Sequence, residues 1–250
     1  MERIDGRKEN ELRKFKATPN MSKFSTGSVL MEFGETRVIC SVMIDEGVPP
    51  FLKGKGQGWL TAEYSMLPYS THPRVRREGA TEVKGRSQEI QRLIGRSLRS
   101  VFDMQAVGEK TVIIDCDVLQ ADGGTRTTSI NGAFLALSLA VSKLMKEGVM
   151  HRNPIKDYLA AISVGVVGGT PMLDLAYAED SKAEVDMNIV AAGSGDIVEV
   201  QGTGEGRPFS RAEMDAMVNL ALSGISSIIK YQQGFIKEHA GNILLREPAI

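Results

Sequence analysis

The strand-like run Thr111-Val-Ile-Ile-Asp-Cys-Asp-Val-Leu-Gln120 leads, two residues later, into Gly123-Gly-Thr-Arg-Thr-Thr128 and then into a long apolar segment. We predict a strand over 111–120, a tight glycine turn, and a helix over about 128–147. The two glycines let the backbone turn with its N–H groups facing one way. The start of a helix adds free N–H groups and a partial positive charge. This strand–turn–helix unit is therefore a candidate anion site.

Polar side chains of the turn add to that prediction. Arg126 offers a planar fork of donors, and three threonines offer hydroxyl donors or helix caps, namely Thr125, Thr127 and Thr128. Together with the backbone N–H groups near Gly124, they predict a socket for a tetrahedral anion such as phosphate. The alternative interpretation is an ordinary capped helix whose arginine lies on the surface, and this stretch alone does not separate the two.

The composition fits one compact domain or two closely packed halves. The chain has 250 residues, 42% of them hydrophobic, and a formal net charge of −1, so nothing global marks it as a nucleic-acid binder. Cys40 and Cys116 lie in apolar runs without metal-ligand spacing, which indicates reduced core residues. Because we find neither a signal-peptide pattern nor an apolar run near the ~18 residues of a membrane span, we expect a cytoplasmic protein with no membrane partner.

Working outward from the glycine turn, we predict one domain (1–250) made of two halves with similar patterns. The first half, about 1–150, contains the predicted strands 28–33, 36–44, 59–66 and 111–120 and the helices 86–102 and 128–147. The second half, about 151–236, contains the predicted strands 160–167, 172–177, 184–192 and 197–201 and a helix at about 210–231. The residues 237–250 are expected to form a loosely held tail. Hairpins mixed with helices favour an α+β fold with mixed or antiparallel sheets.

The region 74–99 carries eight Lys or Arg against three Glu, a local excess of positive charge. Three of these arginines are predicted in a loop, where they are well placed to contact RNA phosphates through charge rather than sequence: Arg74, Arg76 and Arg77. Three others share one face of the predicted helix, opposite its apolar stripe: Arg92, Arg96 and Arg99. We interpret this second group as a solvated face or a subunit contact.

Arg86 falls in the first turn of the same helix, at the edge of its predicted buried face. A guanidinium held there requires a partner, because an unpaired buried charge is costly. A structural carboxylate or a bound anion would serve. The chain already offers a candidate anion socket at 123–128. We therefore favour a phosphate that is shared between Arg86 and that socket.

An acidic stretch at 178–188 is the third group of candidate residues. Asp180 is predicted at the end of one strand and Asp186 within the next, where it shares a face with Glu184 and Asn188. Two carboxylates at a strand connection suit a hard divalent cation that keeps several waters and contacts substrate phosphates. The alternative is an ordinary polar turn with solvated acids.

Five strings, in order and with matching spacing over about 1–235, carry a family resemblance. They are Arg3-Ile-Asp-Gly-Arg7, Thr61-Ala-Glu-Tyr-Ser-Met-Leu-Pro68, Arg86-Ser-Gln-Glu-Ile-Gln-Arg-Leu-Ile-Gly-Arg-Ser-Leu-Arg99, Asp122-Gly-Gly-Thr-Arg-Thr127 and Glu179-Asp-Ser-x-Ala-x-x-Asp-Met-Asn188. On these strings the chain resembles the bacterial RNase PH family, the phosphate-dependent 3′ exoribonucleases. The resemblance implies two related β-α halves about a pseudo-twofold axis, and a homohexameric ring built as a trimer of dimers.

The resemblance also implies an activity. It implies trimming of tRNA 3′ ends and action on ribosomal RNA, with inorganic phosphate as co-substrate, nucleoside 5′-diphosphates as products, and reversible nucleotide addition. Residue by residue, it implies phosphate binding by Arg86, Gly124, Thr125 and Arg126, and RNA contacts by Arg74, Arg76 and Arg77. It implies catalysis by Asp180 and Asp186, which would hold Mg²⁺ or Mn²⁺, together with Arg126.

Two other functions remain to be weighed at this point. One is a catalytically silent RNA-binding ring subunit of an exosome-type assembly, which would be expected to lack a phosphate-site arginine or an acidic ligand. The other is an enzyme that acts on a small phosphorylated metabolite, with the basic loop as solvated surface. All the candidate residues are present, which favours the phosphorolytic nuclease.

Overall fold

A long buried helix lies between two β-sheets. The computed structural model of the protein describes residues 3–79 and 84–241. The first sheet has the strand order β1-β2-β3-β5-β4 and is mixed, because β4 runs parallel to β5 while the other pairs are antiparallel. Its strands are β1 (Phe15–Pro19), β2 (Gly27–Phe33), β3 (Thr36–Glu46), β4 (Trp59–Met66) and β5 (Lys110–Gln120).

The second sheet is antiparallel throughout, with the order β7-β6-β8-β9. Its strands are β6 (Leu159–Val167), β7 (Thr170–Leu173), β8 (Val185–Ala192) and β9 (Ile197–Gly204). The helices are α1 (Gly85–Ser100), α2 (Thr125–Lys146), α3 (Tyr177–Asp180) and α4 (Arg211–His239). The prediction of an α+β fold with mixed and antiparallel sheets is confirmed, whereas the division into halves at about residue 150 stays a prediction.

The helix α2 packs on both sheets. It contacts β2 and β3 of the first sheet and β6 of the second, while α1 packs on β4 and α4 on β6. By length and hydropathy alone, α2 resembles a membrane span, so our expectation that no segment would qualify is wrong. However, 89% of its apolar window is buried inside the protein, as expected for the central helix of a core.

Several elements differ from the sequence prediction. The short edge strand β1 was missed, and α2 begins three residues earlier than predicted. The predicted strand 172–177 ends at Leu173, because Asp174 adopts a left-handed backbone conformation with φ of 54°. The helix α4 continues to His239, so the start of the predicted tail is helical, while 242–250 lie outside the described residues.

Candidate active site

A cleft of about 1220 Å³ collects residues from separate parts of the chain. Both sheets, the basic loop (71–79) and the starts of α1 and α2 contribute to its lining. The lining includes every candidate phosphate and metal residue: Arg86, Gly124, Thr125, Arg126, Asp180 and Asp186. Three stretches that are far apart in sequence therefore meet on one concave surface.

The glycine loop (121–124) leads directly into α2. Gly123 and Gly124 have φ values of 78° and 64°, which glycine adopts without strain. A Cβ atom on Gly123 would lie 2.5 Å from the carbonyl oxygen of Leu175, so the glycine also permits a close backbone approach. The backbone N–H groups of residues 125–127 donate to no acceptor within 3–79 and 84–241. These N–H groups are therefore available to an anion at the positive end of α2.

The threonine hydroxyls make contacts within and beside the turn. The Thr127 hydroxyl donates to the carbonyl oxygen of Gly124 (3.0 Å), and the Thr125 hydroxyl oxygen accepts from the buried Tyr64 hydroxyl (2.9 Å). Thr128 is buried. The hydroxyls of Thr125 and Thr127 therefore hold the turn in shape, and the backbone and Arg126 are the donors that face the cleft. Burial raises the pKa of Tyr64, so its hydroxyl stays protonated as a donor.

Arg126 is held from two sides within the cleft. Its Nη1 atom donates to Oε1 of Gln201 on β9 (3.0 Å) and lies 3.5 Å from a carboxylate oxygen of Glu89 on α1. The Arg126 side chain is 17% exposed. It is therefore fixed in place while still in contact with solvent in the cleft.

Arg86 lies in the cleft, but its surroundings correct the prediction. The residue is exposed and is not held in a buried position as predicted, although its neighbour Ser87 in the first turn of α1 is buried. It makes no ion pair or hydrogen bond to any other residue within 3–79 and 84–241. Its positive charge is nevertheless close enough to oppose the upward pKa shift of Asp180.

Asp180 and Asp186 lie near each other on neighbouring elements. Asp180 ends the short helix α3, so its predicted position at a strand end is wrong, while Asp186 lies in β8 as predicted. Burial raises the pKa of Asp180, and Arg86 and Arg126 oppose that shift. Burial, and then the charge of Asp180, raise the pKa of Asp186 to about 6. Glu184, predicted on the same face, pairs instead with Arg207.

The acidic pair suits a divalent cation that keeps most of its water. No cluster of three or more His, Cys, Asp or Glu that would hold a metal is found among residues 3–79 and 84–241. A cation held by two carboxylates alone must complete its coordination with water or substrate oxygens, which is how Mg²⁺ is commonly bound. A positive ion would also relieve the repulsion that raises the pKa of Asp186.

The arginines of the basic loop lie at the rim of the cleft and not inside it. Arg74, Arg76 and Arg77 are exposed, whereas His72, Pro73 and Val75 of the same loop line the cleft. The three guanidinium groups are thus free to contact a chain that enters from solvent.

Two buried ion pairs hold the site together, and sequence analysis did not identify them. Arg3 donates to both carboxylate oxygens of Glu179, each at 2.7 Å, next to Asp180. Arg13 donates to both oxygens of Asp174, through Nε at 3.1 Å and Nη2 at 2.7 Å, and to the carbonyl oxygen of Asp122. The only sequence signal was the string Arg3-Ile-Asp-Gly-Arg7, which contributed to the resemblance without a role.

Two family models match the chain: the 3′ exoribonuclease family, domain 1, over residues 11–143, and domain 2 of the same family, over 157–224. The chain therefore belongs to the 3′ exoribonuclease family. A relative named Ribonuclease PH, from Syntrophomonas wolfei subsp. wolfei (strain DSM 2245B / Goettingen), is 56% identical over 234 residues, covering 93% of this chain and 98% of the relative. The predicted resemblance to the RNase PH family is confirmed.

Solved structures show the same fold at low sequence identity. Rice (Oryza sativa) Rrp46 matches with a TM-score of 0.75 and 21% identity, covering 92% of this chain and 98% of that one. The Archaeoglobus fulgidus exosome with RNA bound to the active site matches with a TM-score of 0.77 and 21% identity, covering 92% of each chain. These likenesses confirm the predicted RNase PH-like fold.

We predict that the Asp174→Asn variant will be destabilised by about 3–5 kcal/mol, because Arg13 stays buried and loses its closest charged partner, while the Asp122 carboxylate lies 3.9 Å away. Asparagine tolerates the left-handed backbone of this position, so the change tests the ion pair and not the turn. Urea unfolding measures the effect. Asp215→Asn is the matched control, since Asp215 pairs with Arg211 on the surface and should contribute no more than ~0.5 kcal/mol. Equal stability of the two variants would contradict the prediction.

Proposed function

We propose that the protein removes nucleotides from the 3′ ends of tRNA precursors, and acts on ribosomal RNA, by using inorganic phosphate as the attacking group. The observation that carries this proposal is the shared cleft, where an anion-binding helix start and two arginines face two carboxylates. The presence of both arginines and both carboxylates argues against a silent ring subunit.

The mechanism must let one anion approach another. We propose that Arg86, Arg126 and the N–H groups near Gly124 and Thr125 hold the phosphate and orient one of its oxygens toward the last phosphorus of the RNA. A bond forms between that oxygen and the phosphorus, and the bond from the phosphorus to the preceding 3′ oxygen breaks. That 3′ oxygen takes up the proton that the attacking phosphate carried, so the shortened RNA ends in a 3′ hydroxyl. A nucleoside 5′-diphosphate leaves, and excess diphosphate reverses the reaction.

We predict that Arg126→Ala will reduce phosphate-dependent trimming of a 3′-extended tRNA by about 10²–10³-fold, because one donor to the attacking anion is lost. RNA binding should persist, since the basic loop is unchanged. Release of nucleoside diphosphates, with and without phosphate, measures the effect. Arg92→Ala is the control, because Arg92 is exposed on α1 and lies outside the cleft. Equal shortening of RNA in phosphate-free buffer, with monophosphates as products, would show the nuclease to be hydrolytic.

We propose that Asp180 and Asp186 hold Mg²⁺, or Mn²⁺ in its place. The two carboxylates fit such an ion, as argued from their charge, burial and small number. When bound, the ion would supply positive charge near the reacting phosphate groups.

We predict that Asp186→Asn will raise the Mg²⁺ concentration needed for half-maximal rate by more than about 10-fold, since an anionic ligand becomes neutral. Rates across a magnesium titration, after treatment with a chelator, measure the shift. Asp196→Asn changes an exposed aspartate in the β8–β9 turn and should behave as the unmodified protein does. Full activity in the presence of the chelator would contradict the metal assignment.

We propose that six copies form a ring, a trimer of dimers, which would place several basic loops around one opening and multiply weak contacts with RNA. The likeness to chains from solved exosomes supports this arrangement. We place the protein in the cytoplasm, which its two free, buried cysteines support. A monomeric mass by light scattering would contradict the ring.

We predict that replacing Arg74, Arg76 and Arg77 together with alanine will weaken RNA binding and flatten its salt dependence. The slope of log K against log salt should fall by about 2, because each lost contact to a single strand removes about 0.7. Filter binding over a range of salt concentrations measures the slope. The triple control Lys143→Ala, Lys146→Ala and Lys230→Ala removes equal charge from exposed positions outside the cleft. An equal change of slope in both triple variants would contradict the role of the basic loop.

A further inference from the structure

A chain of polar contacts joins the surface of α1 to Arg126. On β9, Glu199 and Gln201 are two residues apart and so share a face of the strand. The Nε2 atom of Gln201 donates to Oε1 of Glu199 (3.2 Å), and Oε1 of Gln201 accepts from Nη1 of Arg126 (3.0 Å). At the far end, Arg96 donates to both carboxylate oxygens of Glu199, with its Nε at 2.7 Å.

The charged neighbours of the Gln201 amide, Glu199 and Arg126, allow it only one favourable orientation. A carboxylate only accepts hydrogen bonds, and a guanidinium only donates them. An amide between them satisfies both partners only when its nitrogen faces Glu199 and its oxygen faces Arg126. Reversing the amide would set two acceptors together at one end and two donors at the other. Glu199, itself held by Arg96, therefore fixes which atom Gln201 presents to Arg126.

This contact leaves one edge of the Arg126 fork free. Nη1 is the atom that meets Gln201 and Glu89. The Nε and Nη2 atoms of Arg126 make no hydrogen bond to any residue in the described ranges. These two atoms share the edge of a guanidinium that binds two oxygens of a phosphate side by side. Holding Nη1 thus directs the two-donor edge into the cleft.

We propose that Gln201 is a positioning residue for Arg126, and that Glu199 and Arg96 act through it to set the affinity for inorganic phosphate. The inference rests on the proposed role of Arg126 in holding phosphate. It assigns a function to the polar face of β9 and to one arginine of the α1 surface. Gln201 also lies directly across from Asn188, two residues beyond Asp186 on β8, so the same strand pairing places it beside the acidic pair.

The test measures initial rates of trimming of a 3′-extended tRNA while phosphate is varied, and then while RNA is varied. In Gln201→Ala, the KM for phosphate should rise about 10-fold, since a hydrogen bond to a charged group contributes about that factor. The KM for RNA should stay unchanged. Glu199→Ala should raise the KM for phosphate by a smaller factor, because the amide is no longer held in one orientation. Gln105→Ala is the matched control, an exposed glutamine outside the cleft.

An exchange of the two side chains separates positioning from simple packing. Gln201→Glu alone places a second carboxylate next to that of Glu199, and the two repel each other. The KM for phosphate should therefore rise. Adding Glu199→Gln restores a donor between positions 199 and 201 without changing the net charge, and the KM should recover toward the unmodified value. If the double variant is no better than Gln201→Glu alone, the orientation argument is wrong.

The outcomes distinguish this inference from the proposed function. If Arg126→Ala leaves the KM for phosphate unchanged, the proposed phosphate site fails, and this inference fails with it. If Arg126→Ala abolishes phosphate dependence while Gln201→Ala and Glu199→Ala match the unmodified protein, the proposed function stands and the positioning role is overturned. A rise of the KM for phosphate and of the KM for RNA by the same factor would indicate a general structural defect and would also overturn it.

Discussion

The buried ion pair between Arg13 and Asp174 is the interaction on which the arrangement of the site depends. Arg13 binds the carboxylate of Asp174 and the carbonyl oxygen of Asp122, so one side chain joins the segment before α3 to the glycine loop. The carbonyl oxygen of Gly123 is held in turn by the Thr36 hydroxyl at 2.7 Å. Because the C=O and N–H of a trans peptide point in opposite directions, fixing the Gly123 carbonyl directs the N–H of Gly124 away from Thr36. The shape of the proposed anion site thus follows from contacts on the side of the glycine loop that faces the protein interior.

The short helix α3 keeps the carboxylate of Asp180 close to the arginines of the cleft. Arg3 anchors Glu179 directly beside Asp180, so the acidic group cannot move away from the arginines without breaking a buried pair. Arg86 and Arg126 then act against the upward pKa shift that burial gives Asp180. The same two arginines oppose the shift at Asp186 less effectively, and burial together with the charge of Asp180 raises the pKa of Asp186 to about 6. The arginines and the carboxylates stabilise each other's charged forms, so the cleft can hold both kinds of charge although it is partly buried. A site with both kinds of charge suits a reaction between two phosphate groups.

The sequence predicted what local patterns determine. The predicted strands 28–33 and 36–44 correspond to the β2–β3 hairpin, the apolar stripe indicated α1, and the paired glycines indicated the start of a helix. It failed where a distant contact decides the conformation. The pair Arg13–Asp174 joins residues 161 positions apart, and Asp174 ends its strand in a backbone conformation that no local pattern signals. The helical angle of Arg86 likewise gave its direction on α1, but not that its side chain is exposed in the folded chain.

The arginines of α1 show why one face of a helix need not have one function. The sequence spacing predicted that Arg92, Arg96 and Arg99 share one face of α1. In the structure their surroundings differ. Arg99 donates to the carbonyl oxygen of Leu60 (2.9 Å) and lies over the Trp59 ring, while Arg96 holds Glu199 of the second sheet. Since α1 packs on the first sheet, the contact to β9 forms only when the two sheets come together around α2. Arg126 then acquires its partner Gln201 through that same packing, so the geometry of the proposed anion site requires both sheets to be in place.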